Sequence, residues 1–166
     1  GSVYLQGEND ASSSALTPAY NRRLDAMIKG WRKAWNMPNM PFLVVGLCYK
    51  GGKQASAGDN SNQASVREAQ RQVSDTMPNT LLSVAVDLGS TTTWHYPQKP
   101  QLGARLGDVV RGWIHGQTGF AYLSPRPSGC YFRGSTIVIP WDARGGKLAL
   151  SSGSAPTGFA VAGADG

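Results

Sequence analysis

Apolar runs of strand length alternate along this chain with segments of helical periodicity, and that alternation limits the possible folds more than any other feature. The predicted strands and helices follow one another as 3–6, 18–35, 42–47, 63–76, 81–86 and 100–115. Runs that are apolar throughout, such as 42–47, are typical of strands covered on both faces of a parallel sheet. Repeats of this kind form right-handed crossovers, so the sequence predicts an α/β fold with a parallel sheet flanked by helices.

The pattern changes after residue 118, where short β-type runs replace the helices. These runs are 135–140, 147–150 and 158–162, separated by Gly, Pro, Ser and Asp turns. They predict the start of an antiparallel β unit that is too short to close a sandwich alone. We therefore expect residues 1–118 to form an α/β segment and residues 119–166 to form a partial C-terminal β domain.

Composition and charge exclude several classes of protein. With 166 residues, of which 40% are hydrophobic and 16% charged, the chain is long enough to bury a core. The net charge of +6 comes from scattered Lys and Arg rather than from a basic patch with stacking aromatics, so we expect no nucleic acid partner. The longest apolar run is too short for a bilayer, and we expect no membrane partner. Cys48 and Cys130 provide neither a disulfide scaffold nor a metal motif, and we expect no cofactor and no metal.

Three polar segments follow the predicted strands, at the edge where parallel sheets bind their ligands. They are 6–10, the loop after Leu47 and the loop 87–97. His95 in the third segment is a candidate general base, because imidazole titrates near neutral pH. A surface or hydrogen-bonding histidine is the alternative. For His115, at the end of the last predicted helix, we expect a structural role.

A histidine base needs a nucleophile, and this sequence has no recognisable one. It contains no Gly-x-Ser-x-Gly motif, and serines 12–14 and Ser90 lie in no known nucleophile context. Gly58-Asp59-Asn60 is similar to a Gly-Asp-Ser motif but has an amide in place of the hydroxyl. Cys48 would pair with His95 as a thiolate in a thiol hydrolase. A buried, unreactive thiol is the other interpretation of Cys48.

Several short segments, in a fixed order over nearly all of the chain, together carry a resemblance to a known family. They are Tyr4-Leu5-Gln6-Gly7-Glu8-Asn9-Asp10, Tyr20-Asn21 with Trp31-Arg32, Pro41-Phe42-Leu43-Val44, Arg67-Glu68-Ala69-Gln70, Pro78-Asn79-Thr80, Asp87-Leu88-Gly89, His95 with Lys99, Gly103, Arg105 and Leu106, and the C-terminal run 158–166. The first is similar to an apolar run before Gln-Gly-Glu-x-Asn. The chain thus resembles the sialate O-acetylesterase family, carbohydrate-active members of the SGNH (GDSL-like) hydrolases.

The resemblance implies a three-layer SGNH-hydrolase-like fold and hydrolysis of acetyl esters on sugars, sialic acid among them, by a serine nucleophile. His95 would be its general base. Gln6, Gly7 and Asp10 would line the oxyanion and substrate side, and Glu8 would pair with a buried cation. The implied partner is an acetylated carbohydrate, and the habit of the family implies a secreted or periplasmic protein.

The sequence departs from the family pattern at the nucleophile. The family's Gly-Asp-Ser block lies on a first strand upstream of Gln-Gly-Glu, and nothing here corresponds to it. The chain therefore resembles the C-terminal half of an esterase, and we expect a second polypeptide or a further segment to supply the serine strand beside strand 3–6. A non-catalytic carbohydrate-binding or scaffolding module on the same fold is the alternative.

Two further departures concern the base and the oxyanion side. Thr92 and Thr93 occupy positions where the family has an Asp before its His. The base would then work in a Ser-His dyad helped by a backbone carbonyl, or Asp87 would be the orienting acid. Asp10 stands where the family has Asn, and an ionised carboxylate there would repel an oxyanion. We expect Asp10 to be turned away, protonated or used in another role.

Overall fold

The computed structural model describes residues 1–51, 61–150, 153–156, 158–159 and 161. Its elements are β1 (Ser2–Leu5), α1 (Glu8–Ala11), α2 (Tyr20–Ala34), β2 (Phe42–Val45), α3 (Asn62–Thr76), β3 (Thr80–Ser83), α4 (Lys99–Trp113), β4 (Arg126–Pro127), β5 (Tyr131–Arg133), β6 (Thr136–Val138) and β7 (Trp141–Asp142), with 3-10 helices at Thr17–Ala19 and Val86–Leu88. None of the helices in this part of the chain is long and apolar enough to cross a membrane. The chain divides into two compact units, Gly1–Leu106 and Gly107–Gly166, and the predicted domain boundary at residue 118 stays a prediction.

The first unit is built on a three-stranded parallel sheet in the order β1-β2-β3. Leu5 pairs with Val45, and Val45 pairs with Ser83, so the three strands end together at one edge of the sheet. Every residue of β2 is buried, as a central strand covered on both faces requires. The predicted α/β fold, with a parallel sheet flanked by helices, is confirmed.

Helices cover the two faces of this sheet through separate hydrophobic clusters. One cluster joins α2 and α3 to the face of β2 that carries Phe42 and Val44. The other joins the start of α4 to the face that carries Val45. Its members are Val45, Cys48, Ala85, Leu88, Tyr96 and Leu102, with Leu106 packed beside them. The first unit therefore has three layers, with helices on either side of the sheet.

A buried arginine ends the apolar stripe of α2. Tyr20, Leu24 and Ile28 recur at intervals of four residues and are buried, and Arg32 continues the same helix face. The Arg32 guanidinium donates hydrogen bonds to the carbonyl oxygens of Met40 (3.1 Å) and Asn79 (2.8 Å) and to the Thr80 hydroxyl (3.2 Å). These bonds fasten the end of α2 to the segments that enter β2 and β3.

Strand β1 lies at an edge of the sheet. Among the residues that the structure describes, no strand pairs with its outer edge. Val3 and Leu5 are 54% and 44% exposed, whereas Tyr4 on the opposite face contacts Trp31 and Phe42. One edge and one face of β1 are thus open in the described part of the chain.

Two predicted strands end earlier in the structure than their apolar runs indicate. Run 42–47 is a strand only to Val45, and run 81–86 only to Ser83. After Ser83 the chain turns into the 3-10 helix Val86–Leu88, in which the Leu88 N–H donates to the Ala85 carbonyl oxygen at 3.1 Å. Ala85 is apolar because it packs under α4, so the apolar run 81–86 continues beyond the hydrogen-bonded strand.

The second unit contains two antiparallel strand pairs, β4 with β7 and β5 with β6. Predicted run 135–140 contains β6, and the expectation of antiparallel strands after the α/β part is confirmed. Run 147–150 forms no strand with any described residue, and its Leu148 and Leu150 are 55% and 48% exposed. Run 158–162 lies partly outside the described residues.

Candidate active site

The Gln-Gly-Glu block lies where β1 ends at the sheet edge. Gly7 caps α1 with φ of 149°, a conformation that side chains other than hydrogen rarely allow. A Cβ atom at Gly7 would lie 3.0 Å from Val66 Cγ1 and 3.4 Å from Gln70 Nε2. The turn between β1 and α1 therefore requires glycine, both for its dihedral angles and for the close approach of α3.

The side chain of Gln6 is held by its neighbours in the same block. Its Oε1 accepts a hydrogen bond from the Tyr4 hydroxyl at 3.0 Å, and its Nε2 donates to Asp10 Oδ2 at 2.8 Å. One of the two amide hydrogens of Gln6 is used in this way. The second amide hydrogen remains available to donate to a ligand.

Asp10 is buried and forms an ion pair with the exposed Arg23. Its Oδ1 accepts from Arg23 Nη1 at 2.8 Å, while the Thr17 hydroxyl donates to its backbone carbonyl at 2.9 Å. The Asp10 side chain is 13% exposed and the Arg23 side chain 45%. The carboxylate therefore faces a cation of its own fold, and the predicted place of Asp10 on the oxyanion and substrate side stays a prediction.

Two residues outside the block hold its backbone. The Tyr20 hydroxyl and Gln70 Nε2 each donate to the Gln6 carbonyl oxygen at 3.0 Å. Gln70 is fully buried, and its Oε1 accepts from the Leu47 N–H at 2.8 Å, so this one side chain joins the ends of β1 and β2. Burial raises the pKa of Tyr20, which keeps its hydroxyl protonated and able to donate. In the sequence, Gln70 is distinguished only as part of the segment Arg67-Glu68-Ala69-Gln70.

His95 lies on the loop that follows β3, at the same edge of the sheet. It is exposed, and its backbone N–H donates to Thr93 Oγ1 at 3.1 Å. In the part of the chain that the structure describes, the imidazole has no hydrogen-bond partner. Its role as a general base stays a prediction.

Tyr96 fixes this loop to the end of β2. Its hydroxyl donates to the Gly46 carbonyl oxygen at 2.7 Å and accepts from the Cys48 N–H at 3.1 Å. Burial raises the pKa of Tyr96, with smaller upward contributions that include the Glu8 carboxylate. Tyr96 therefore anchors the loop directly beside the candidate base His95.

Asp87 is already paired. Its two carboxylate oxygens each accept from Arg105 at 2.8 Å, and Arg105 also donates to the Val84 carbonyl oxygen at 2.6 Å. The hydrogen bond from Arg105 lowers the pKa of Asp87, so this carboxylate is ionised at neutral pH. One of these oxygens would have to be shared between Arg105 and the imidazole before Asp87 could orient His95, and that role stays a prediction.

Cys48 is buried and Arg67 is half-buried beside the same loop. Burial raises the pKa of the Cys48 thiol, the Glu8 carboxylate adds to this effect, and Cys48 Sγ lies 3.6 Å from the Trp94 carbonyl oxygen. A protonated, enclosed thiol favours the unreactive interpretation. Burial lowers the pKa of Arg67, whose Nη1 is buried without a hydrogen bond. Glu8 forms no ion pair with any described residue, so its predicted cation is not found in this part of the chain.

Ser12 and Ser90, two of the serines considered in the sequence, are hydrogen-bonded to groups other than the imidazole. Ser12 Oγ donates to the Asn9 carbonyl oxygen at 2.7 Å, and Ser90 Oγ is 3.2 Å from Thr92 Oγ1. None of the serines in the described ranges is hydrogen-bonded to His95. Gly58-Asp59-Asn60 lies outside the described residues. In those same ranges no three His, Cys, Asp or Glu side chains gather as a metal site would require.

Comparisons with known proteins identify the family of the chain. No curated protein matches the sequence significantly. A crystal structure of a carbohydrate acetylesterase from Xanthomonas citri superposes with a TM-score of 0.76 at 29% sequence identity, over 86% of this chain and 32% of that protein. The chain thus spans about a third of the length of its structural neighbour. The family described as carbohydrate esterase, sialic acid-specific acetylesterase matches residues 1–111, and the chain belongs to this family.

Proposed function

We propose that this chain supplies the general base and the oxyanion side of a carbohydrate O-acetylesterase. One observation carries the proposal: the side chains of Gln70 and Tyr96 join the three-residue segment 46–48 after β2 to both candidate blocks. Gln70 joins Leu47 to the Gln6 carbonyl oxygen, and the Tyr96 hydroxyl joins Gly46 and Cys48 to the His95 loop. The two blocks therefore border one segment at the carboxyl edge of the sheet.

In the proposed reaction, His95 accepts the proton of a serine hydroxyl as the serine oxygen attacks the acetyl carbonyl carbon. The carbonyl oxygen becomes an oxyanion, and donors of the block that contains Gln6 and Gly7 stabilise it. Collapse of this intermediate releases the sugar hydroxyl, which takes the proton from His95. Water then attacks the acetyl-serine with His95 as base again, and acetate leaves.

We propose that the serine comes from a second polypeptide or from a further segment of the protein, and that its strand pairs with the outer edge of β1. The open edge of β1 supports this, because unpaired backbone N–H and C=O groups bind an added strand. Exposed Val3 and Leu5 provide an apolar face for such a strand to extend.

The proposed substrate is an acetylated carbohydrate, with sialic acid as one candidate, and we expect a secreted or periplasmic protein. His95 would act in a dyad helped by a backbone carbonyl, or with Asp87 if that carboxylate shares one oxygen with Arg105. A non-catalytic carbohydrate-binding or scaffolding module is the second candidate. It is favoured by one observation: no described serine is hydrogen-bonded to His95.

Hydrolysis of p-nitrophenyl acetate by the purified protein, with His95→Ala and His115→Ala beside it, tests this proposal. We expect the catalysed rate, after subtraction of the uncatalysed rate, to fall roughly 10²- to 10⁴-fold in His95→Ala, because the variant lacks the general base. His115→Ala, which changes the other histidine, should keep the wild-type rate.

A serine-reactive fluorophosphonate and intact-mass analysis then show which polypeptide carries the nucleophile. An adduct on this 166-residue chain would contradict an external serine. Equal rates for wild type and His95→Ala would contradict the base. A wild-type rate no higher than the uncatalysed one, with acetylated sugar still bound, would support the binding module.

A further inference from the structure

The peptide that joins Gln6 to Gly7 is held from one side only. Its carbonyl oxygen accepts two hydrogen bonds of 3.0 Å, from the Tyr20 hydroxyl and from Gln70 Nε2. Gln70 Nε2 also lies 3.2 Å from the Tyr20 hydroxyl oxygen, so the two donors support each other. Both side chains are buried, at 3% exposure for Tyr20 and 0% for Gln70. The direction of this carbonyl is therefore fixed by the core.

The orientation of the Gln70 carboxamide follows from its surroundings. Its Oε1 faces the Leu47 N–H at 2.8 Å, and its Nε2 faces the carbonyl oxygens of Gln6 and Val45. The opposite orientation would place oxygen against two carbonyl oxygens and an amide hydrogen against an N–H. Only one orientation satisfies the hydrogen bonds, so Gln70 is a donor to Gln6.

A fixed carbonyl fixes the N–H of the same peptide. No peptide bond in the described structure is cis, and in a trans peptide the C=O and N–H bonds point in opposite directions. Because the Gln6 carbonyl points at Tyr20 and Gln70, the Gly7 N–H points away from them. Among the described residues no acceptor takes the Gly7 N–H, although backbone donors in folded proteins are nearly always paired.

We propose that Tyr20 and Gln70 are positioning residues that aim the Gly7 N–H at the acyl oxygen of the substrate. The inference rests on the proposed esterase function and deepens it, because it identifies which donor of the block meets the oxyanion and what holds that donor still. A donor that is already oriented stabilises developing charge without reorganisation. The glycine requirement at residue 7 keeps side-chain atoms away from this N–H.

The test uses Tyr20→Phe and Gln70→Glu. Tyr20→Phe removes one bond to the Gln6 carbonyl oxygen and keeps the ring. Gln70→Glu keeps an acceptor for the Leu47 N–H and removes the other donor. The matched controls are Tyr131→Phe and Gln72→Glu, which make the same changes at exposed positions outside the network.

Titration of ¹⁵N-labelled protein with sodium acetate gives a readout that needs no nucleophile. Acetate carries an anionic oxygen like the proposed oxyanion, and we expect it to shift the Gly7 amide signal saturably in wild type and in both controls. In Tyr20→Phe and Gln70→Glu the dissociation constant should rise about tenfold or more. No shift at Gly7 in wild type, or equal constants in all proteins, would overturn the inference.

Ester hydrolysis provides the second readout. In Tyr20→Phe and in Gln70→Glu, kcat should fall roughly 10- to 100-fold, because the donor acts in the transition state. KM should stay within about twofold of the wild-type value. Unchanged kcat with His95-dependent activity would overturn the inference and leave the proposed function intact. A Gly7 response that depends on Tyr20 and Gln70, without esterase activity, would support the positioning role and contradict the proposed function. Wild-type amide spectra elsewhere confirm that the variants fold.

Discussion

Replacement of Tyr96 by Phe should destabilise the protein through two backbone groups at once. The Tyr96 hydroxyl bonds to the Gly46 carbonyl oxygen and to the Cys48 N–H, and the residue is 4% exposed, so water does not replace it. Each of the two lost bonds contributes about 1 kcal/mol, and the groups left buried without partners together cost up to about 2 kcal/mol more. We expect the free energy of unfolding to fall by roughly 2–4 kcal/mol, the sum of these contributions.

Urea denaturation measures this change. With a slope of about 2 kcal/mol/M, typical of a small protein, the midpoint should fall by about 1–2 M while the slope stays constant. Tyr131→Phe is the control, because Tyr131 is 46% exposed and its hydroxyl bonds only to Arg133 at 3.3 Å among the described residues. Its stability should stay within about 0.5 kcal/mol of wild type.

The pH dependence of the same difference gives an independent check. Burial raises the pKa of Tyr96 in the folded protein, whereas an unfolded tyrosine titrates near pH ~10. The unfolded state therefore loses its proton first, and the stabilising contribution is complete below pH ~10 and is lost as pH rises above it. Because Phe does not titrate, the difference in free energy of unfolding between wild type and Tyr96→Phe should decrease above pH ~10. A Tyr96→Phe midpoint within about 0.2 M of wild type at pH 7 would refute this reasoning.

Three further predictions concern other parts of the site. Gly7→Ala should lower the free energy of unfolding by about 1–3 kcal/mol in urea denaturation, because of its φ and the close approach of α3; Gly103→Ala, with open space around its Cβ, should not destabilise. Asp87→Asn should be less stable than wild type at pH 7, and the difference should disappear as pH falls through the lowered pKa of Asp87, since both proteins are then uncharged there. Iodoacetamide should label exposed Cys130 in the folded protein and buried Cys48 only after unfolding, as peptide mass mapping would show. The first prediction would be wrong if both glycine variants were destabilised. The second would be wrong if the stability difference between Asp87→Asn and wild type did not change with pH, and the third if iodoacetamide labelled Cys48 rapidly in the folded protein.

The fold was predictable where local sequence and burial agree. Run 42–47 is apolar because β2 is covered on both faces, and α2 shows its buried stripe at intervals of four. The ends of the strands were harder to predict. The chain after Ser83 stays apolar because it packs under α4, and its apolar pattern does not distinguish a strand from a buried 3-10 turn. Hydrogen bonding decides that difference, and it depends on residues distant in sequence.

The candidate site was predictable in location but not in its supports. The rule that ligands bind at the carboxyl ends of parallel strands indicated both the block after β1 and the loop of His95. Gln70 and Tyr96, which hold these segments, are separated from their partners by 64 and 50 residues in sequence. No local periodicity encodes such bonds. The apolar setting of a lone glutamine on the buried face of α3 was the one available signal, because buried amides are hydrogen-bonded.

Asp10 illustrates how the fold changes the chemistry that a sequence pattern implies. A lone carboxylate on the oxyanion side would oppose the proposed reaction, since two like charges at short range repel strongly in a low-dielectric site. Here Arg23 and the Gln6 amide already bind its two oxygens, so its charge is compensated within the block. The Gly7 N–H and the second amide hydrogen of Gln6 then remain as donors. An aspartate at this position is therefore compatible with an oxyanion nearby, because its charge is directed at the protein and its partners leave the donors free.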